Sequence, residues 1–312
     1  MPAPALQLQE IAKIKTRDLD MTTAIHDNTQ AHAFKASLSE KDFRRLSEFI
    51  HNECGIKMLE GKKVLLEARL RKRLRVLGMH SYTEYCDYLF SPEGTLNELI
   101  QMIDVVTTNK TDFFREAGHF DYLVRTALPE LIKLYGANSR RKYTIWSAGC
   151  STGEEPHTLA MVLNEFAEQQ QGFYFSILAT DISTRVLEHA RRGIYKEEVV
   201  QPVPVAMKMK YLLKGKDKNK GLVRANPQLR SLIEFRRLNF MNTDFGIKEP
   251  VDIIFCRNVV IYFDRPTQEK LLNRFAHHLI PGGYLFMGHS ETLNGLSVPL
   301  VTAGPMVYRK PL

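Results

Sequence analysis

Three carboxylates stand where an alternating strand–helix chain would offer them to a ligand. Glu154 and Glu155 follow the run Tyr143-Thr-Ile-Trp-Ser-Ala-Gly-Cys-Ser-Thr-Gly153, and Asp181 follows Phe173-Tyr-Phe-Ser-Ile-Leu-Ala-Thr180. Each run reads as a strand leading to a turn. The first is a strand, a small-residue turn and a helix start, the unit on which nucleotide-like cofactors bind. Its chemistry is not that of a phosphate cradle. Only Gly149 and Gly153 are present, so G-x-G-x-x-G is incomplete, and no G-x-x-x-x-G-K-[ST] occurs anywhere. Phosphate prefers a bare positive helix start, which the two glutamates here oppose. Asp181 holds the usual place of a carboxylate that accepts from ribose hydroxyls. A cofactor with a sulfonium, an ammonium, a ribose and no phosphate fits all three positions. S-adenosylmethionine is such a cofactor, and the residues therefore favour a methyltransferase.

Other reactive-looking groups weigh less. His289-Ser290-Glu291 mimics a hydrolase grouping, but no G-x-S-x-G elbow accompanies it, so it reads as structural. Cys256 lies inside a strand pattern ahead of Arg257-Asn258 and reads as a packed thiol. The four cysteines are scattered without C-x-x-C spacing, which suits reduced thiols and argues against a structural zinc site. No metal is expected. Between Lys62 and Arg75 seven cations face the single carboxylate Glu67. Like charges one turn apart repel, so an acidic partner surface is expected there. The net charge of +8 points the same way without choosing the partner.

These groups need elements to hold them. At 312 residues and 44% hydrophobic content the chain can bury a large core. Residues 1–36 read as a flexible extension with a short helix near 6–15. Residues 37–106 read as a helical domain, with helices from Ser39 to Gly55, Lys62 to Leu77, 81–90 and 93–106. Leu66, Leu70, Leu74 and Leu77 form one apolar stripe, and Leu96, Leu99, Ile100 and Ile103 another. Residues 107–141 read as a linker motif and a connecting helix. From 142 to 312 strands and helices alternate, which implies a parallel sheet covered on both faces. A small antiparallel insertion is expected at about 194–237, with its last run, Ile233 to Leu238, becoming a strand of the main sheet.

At this point the chain resembles the CheR family of chemotaxis receptor methyltransferases. The matching stretches are Thr-Thr-Asn-Lys-Thr-Asp-Phe-Phe-Arg-Glu (107–116), Trp-Ser-Ala-Gly-Cys-Ser-Thr-Gly-Glu-Glu-Pro (146–156), Ala-Thr-Asp-Ile (179–182), Ile-Phe-Cys-Arg-Asn-Val-Val-Ile-Tyr-Phe (254–263) and Gly-His-Ser-Glu (288–291). The resemblance implies an all-α N-terminal domain before a Rossmann-like class I methyltransferase sheet with a small β-subdomain. It implies methyl transfer from S-adenosylmethionine to the γ-carboxylate of specific receptor glutamates, giving methyl esters and S-adenosylhomocysteine. It also implies residue roles. Asn109, Thr111, Arg115, Glu155, Asp181, Asn239, Phe240, Arg257 and Asn258 would bind the cofactor. Arg115 and Tyr262 would flank the transferred methyl and place the substrate carboxylate. Arg69, Lys72 and Arg73 would meet the acidic methylation region of the receptor. Some members dock a receptor's C-terminal pentapeptide on the β-subdomain, and the loop 215–221 resembles theirs. A cytoplasmic monomer, peripheral to receptor arrays at the inner membrane, is expected. Two rivals stand beside this reading. A nucleic-acid methyltransferase would want Asn/Asp-Pro-Pro-Tyr or Pro-Cys after the fourth strand, where this chain has Cys-Arg-Asn-Val, so no nucleic acid is expected. A non-catalytic module that senses the cofactor or holds a receptor would not need Arg115 and Tyr262.

Overall fold

The structure is a computed structural model that describes residues 37–136 and 141–312. The extension expected at 1–36 lies outside the described residues. The helical part begins with α1 (Glu40–Cys54), capped by Ser39, whose hydroxyl accepts from the Asp42 amide at 3.0 Å. Gly55, left-handed at φ 72°, ends it. A short 3₁₀ turn leads into α2 (Lys63–Leu77), which buries Leu66, Leu70 and Leu74 and stops at left-handed Gly78. Leu77 is only half-buried. Ser81 caps α3 (Tyr82–Leu89).

The helix expected over 93–106 is instead two helices, α4 (Pro92–Asn97) and α5 (Leu99–Val106). Glu98 sits at the break and is 1% exposed. Its carboxylate accepts two bonds from Arg73, at 2.7 and 2.6 Å, and one from the Tyr85 hydroxyl at 3.0 Å. With Glu98 turned inward, Leu96 of the expected apolar stripe is 80% exposed. α6 (Gly118–Tyr122) continues through a π turn at Leu123–Ala127 into α7 (Leu128–Tyr135). Pro129, which has no N–H to give the helix, sits just beyond that turn.

The sheet part runs β1 (Lys142–Ala148), α8 (Glu154–Gln169), β2 (Tyr174–Asp181), α9 (Thr184–Arg192), β3 (Ile194–Lys196), α10 (Val205–Tyr211), β4 (Leu212–Lys214), β5 (Leu222–Ala225), α11 (Pro227–Ser231), β6 (Ile233–Arg237), β7 (Val251–Cys256), α12 (Arg265–His278), β8 (Leu279–Met287), β9 (Val301–Gly304) and β10 (Val307–Arg309). The large sheet has the order β6-β2-β1-β7-β8-β10-β9. Its first five strands are parallel and the β9–β10 hairpin is antiparallel. β3, β5 and β4 form a separate antiparallel sheet. The small sheet spans 194–225, and β6 joins the main sheet as expected of the run Ile233 to Leu238. Just before β6, Pro227–Ser231 is helix because Asn226 caps it and Pro227 starts it.

β7 is buried at all six positions, as a strand covered on both faces must be. On one face Trp146 donates to the Thr180 hydroxyl at 2.9 Å and meets Phe275 edge-on at 5.1 Å. On the other, Phe255 stacks on Phe286 at 4.3 Å beneath α6. These two cores hold the C-terminal ends of β1, β2, β6 and β7 in register. Strand order turns back on either side of β1, the place where open α/β sheets bind ligands.

Candidate active site

The turn after β1 is built by backbone. The Gly149 and Cys150 amides both donate to the Thr180 carbonyl, at 2.8 and 2.9 Å. Gly149 has φ 85°, and a Cβ there would lie 2.4 Å from the Val259 side chain, so only glycine fits. Asp181, at the end of β2, accepts from the Ser151 amide at 2.8 Å and the Ser183 amide at 3.0 Å. Burial pushes its carboxyl upward, and the backbone donors pull against that.

The two glutamates that open α8 part company. Glu155 lines the cleft and Glu154 does not. Glu154 is buried, accepts from the Thr152 hydroxyl at 2.6 Å, and is pushed upward by burial. Glu155 accepts from the Ser147 hydroxyl and from Arg257 Nε, each at 2.7 Å. Arg257 also donates to the Arg115 carbonyl at 2.6 Å. Its guanidinium lies 3.5 Å from Glu116 Oε2 and 3.4 Å from His119 Nδ1, and it covers the Phe120 ring at 5.2 Å. Burial, and then the Arg257 charge, hold His119 down at about 4. Glu116, His119 and His289 bring ligand atoms within 4.8 Å of one another. The Arg257 guanidinium approaches two of the three, Glu116 and His119.

Asn258 adopts φ 59°. Glu291 braces it: one carboxylate oxygen accepts from the Asn258 and Gly288 amides at 2.8 and 2.6 Å, the other from Val259 at 2.9 Å. Glu291 thus supports the site backbone, consistent with a structural reading of His289-Ser290-Glu291. Among the described residues Asn258 Oδ1 is a buried acceptor without a partner.

The 107–116 segment lies across the cleft. The Asn109 carbonyl accepts from the Ser151 hydroxyl at 2.8 Å. Phe114 and Glu116 both have positive φ, at 53° and 54°, so Arg115 sits between two left-handed residues. The Phe114 amide donates to the Thr158 hydroxyl at 3.2 Å, which ties this bend to α8. Half-exposed Arg115 then reaches back to the Lys110 carbonyl at 3.2 Å. Tyr262 ends a 3₁₀ turn after β7, with Lys62 Nζ 5.8 Å over its ring.

One cleft, open to solvent, is lined by Asn109, Thr111, Arg115, Glu155, Asp181, Asn239, Phe240, Arg257, Asn258 and Tyr262. Asn239 is placed differently from a free ligand-facing amide. Its Nδ2 donates to the Glu53 carbonyl at 2.6 Å and its Oδ1 accepts from the Met241 amide at 3.0 Å. It therefore joins the end of β6 to the end of α1. Phe240 packs edge-on to Phe275 at 5.5 Å while bordering the cleft.

The cations expected on one outer helix face take three different places. Arg69 lines the cleft and donates to the Val106 carbonyl and, at 2.9 Å, to the Thr108 hydroxyl. Arg73 is committed to buried Glu98. Lys72 is exposed. Local spacing could not separate them, because their partners are 25 to 39 residues away. Sequence reasoning also missed Lys62, Ile56 and Met58, which close the cleft from the helical side. The four cysteines are free and buried, and burial pushes the Cys256 thiol well up. Cys256 is a packed thiol.

A parallel sheet with an antiparallel terminal hairpin and a ligand cleft at its strand ends defines a class I methyltransferase. Residues 109–302 match the family described as CheR methyltransferase, SAM binding domain, and residues 41–107 match the CheR methyltransferase, all-alpha domain. The chain belongs to the CheR methyltransferase family. It is 40% identical to the chemotaxis protein methyltransferase of Borreliella burgdorferi over 91% of this chain and 99% of that one. It is 37% identical to the Escherichia coli chemotaxis protein methyltransferase (88% and 92% covered). Chemotaxis protein methyltransferase 2 of Pseudomonas aeruginosa is 39% identical (86% and 93% covered). The protein is an S-adenosylmethionine-dependent methyltransferase of chemotaxis. Among the described residues no helix is long and apolar enough to cross a membrane.

Proposed function

We propose that this enzyme esterifies the γ-carboxylate of specific glutamates on the cytoplasmic helices of chemoreceptors, and that it works beside the receptor arrays. The observation that carries the reading is Arg115, a half-exposed cation fixed between two left-handed residues in the wall of the cleft that Tyr262 also lines. The residues present suit the cofactor. Asp181 suits ribose hydroxyls and Glu155 an ammonium. Asn258 Oδ1 is a buried acceptor without a protein partner among the described residues, and Ile182, Leu238 and Phe240 give an apolar wall for a purine. When bound, S-adenosylmethionine supplies a methyl group on a positive sulfur.

The residues then do three things. Arg115 holds the incoming carboxylate, which needs no base because a glutamate with a pKa of about 4.3 is already ionised at neutral pH. Arg257, Glu155 and the Asp181 backbone donors keep the floor rigid, so approach is in line. Leu65, Leu66 and Met58 give the cleft an apolar wall on the helical side, and water displaced from it by bound substrate and cofactor would favour a step that cancels opposite charges. The exposed side of α2, with Lys72 and Arg75, would receive the acidic receptor helices. A receptor's C-terminal pentapeptide would add as a strand to an edge of the small sheet.

Transfer of labelled methyl to receptor-containing membranes tests the reading. Base-labile label on glutamate supports it. No transfer, or base-stable label on another acceptor, overturns it.

A further inference from the structure

We propose that Tyr195, on the first strand of the small sheet, is a positioning residue for the turn that binds the cofactor; the inference rests on the cleft being the cofactor site. Tyr195 is 3% exposed. Its hydroxyl donates to the Thr152 carbonyl at 2.9 Å. The phenol oxygen is also 3.0 Å from His157 Nδ1, and Nδ1 is 2.8 Å from the Gly153 carbonyl. A phenol has one proton, and it goes to Thr152. His157 must then carry hydrogen on Nδ1 and share it between Gly153 and the phenol oxygen. The last two carbonyls before α8 are thus both held from beneath.

The same side chain does two further things. Its oxygen and Ala190 Cβ together fill the space a Cβ at Gly153 would take, at 2.8 and 2.7 Å, so the turn's second glycine is fitted to Tyr195 and α9. Its ring meets Phe113 edge-on at 5.0 Å, two residues from Arg115. In the small sheet Tyr195 pairs with Val223 of β5. One side chain of the insertion therefore touches both the cofactor turn and the segment that carries Arg115. Asp181 fixes the turn from the cleft side through the Ser151 amide, and Tyr195 fixes it from the opposite side. The insertion is part of the site's support as well as a surface for partners.

The test is Tyr195→Phe in the full chain, which keeps the ring and removes the hydroxyl. Leaving the half-buried Thr152 carbonyl with only the longer contact to His189 Nδ1, at 3.3 Å, should weaken S-adenosylhomocysteine binding about tenfold by calorimetry. The KM for S-adenosylmethionine should rise equally, while kcat at saturating cofactor and the KM for receptor membranes hold. Tyr195→Leu, which also removes the ring from Phe113, should lower kcat as well. Wild-type affinity in Tyr195→Phe overturns the proposal, as does a lowered melting temperature with no split between KM and kcat. Asp181→Asn separates the two readings. If it leaves S-adenosylhomocysteine affinity unchanged, the cleft is not the cofactor site. If it weakens binding while Tyr195→Phe does not, only the role of Tyr195 falls.

Discussion

Arg257 on the floor of the cleft and Arg115 on its rim are both arginines of family motifs, yet their surroundings differ. Arg257 is 7% exposed and is shared among Glu155, Glu116 and the Arg115 carbonyl. Arg115 is half-exposed, and among the described residues its side chain donates to one backbone carbonyl, that of Lys110. The same contrast holds more widely. The floor groups Asp181, Glu155 and Glu291 have protein partners already in place. On the rim, Lys110 is exposed, and Lys62 and Tyr262 are half-exposed. A site organised this way has a preformed seat and a cationic entrance. The seat costs little to order when a ligand arrives, and the entrance has charge available for the carboxylate substrate proposed above.

The contrast can be broken from either side, and the floor should give the largest effect. Arg257→Ala leaves Glu155 and Glu116 as buried carboxylates without their cation, which should cost about 3–5 kcal/mol of folding stability. Urea unfolding reads this, and a wild-type midpoint would remove the distinction between floor and rim. Arg115→Ala should do the reverse, with methyl transfer to receptor membranes falling about 10²- to 10³-fold at an unchanged urea midpoint. Near-normal transfer would show that Arg115 does not place the substrate.

Smaller effects sharpen the picture. His157, beneath the turn, is fully buried and held at about 4, first by burial. Unfolded, it titrates near about 6.5. Its contribution is therefore complete above that value and is lost as pH falls toward 4, reaching about 2 kcal/mol at pH 5. Unfolding midpoints that stay flat between pH 7 and 5 would contradict the buried neutral histidine. Last, reversing Lys72 and Arg75 to Glu should raise the KM for receptor about tenfold, most at low salt, with cofactor affinity intact. Lost cofactor affinity would place these residues with the floor. Arg69 and Arg73 are poor choices for that experiment, since one borders the cleft and the other neutralises Glu98.

Much of the architecture was legible because it is local. Ser39, Gly55, Gly78, Ser183 and Gly193 mark helix ends through their own backbone chemistry, and the structure uses each that way. Helical and strand periodicity gave the helices before 107 and the strands after 142. The misreadings are where distant partners intervene. The helix over 93–106 breaks because Glu98 finds Arg73 on another helix. β3 and β4 are three residues each and exist only by pairing with β5, so no periodicity could announce them.

The opening turn shows the same division. By residue type alone, the missing glycine and the acidic helix start excluded a phosphate cradle, and Asp181 stood at a strand end. Those are properties of side chains and backbone within one supersecondary unit. Which glutamate faces the cleft was decided elsewhere. Glu155 turns inward to Arg257, 102 residues away, and Glu154 is buried against Thr152. The sorting of Arg69, Lys72 and Arg73 into wall, exposed surface and buried pair was likewise decided by packing. A charge has no fixed role until tertiary structure sets its partners and its access to water.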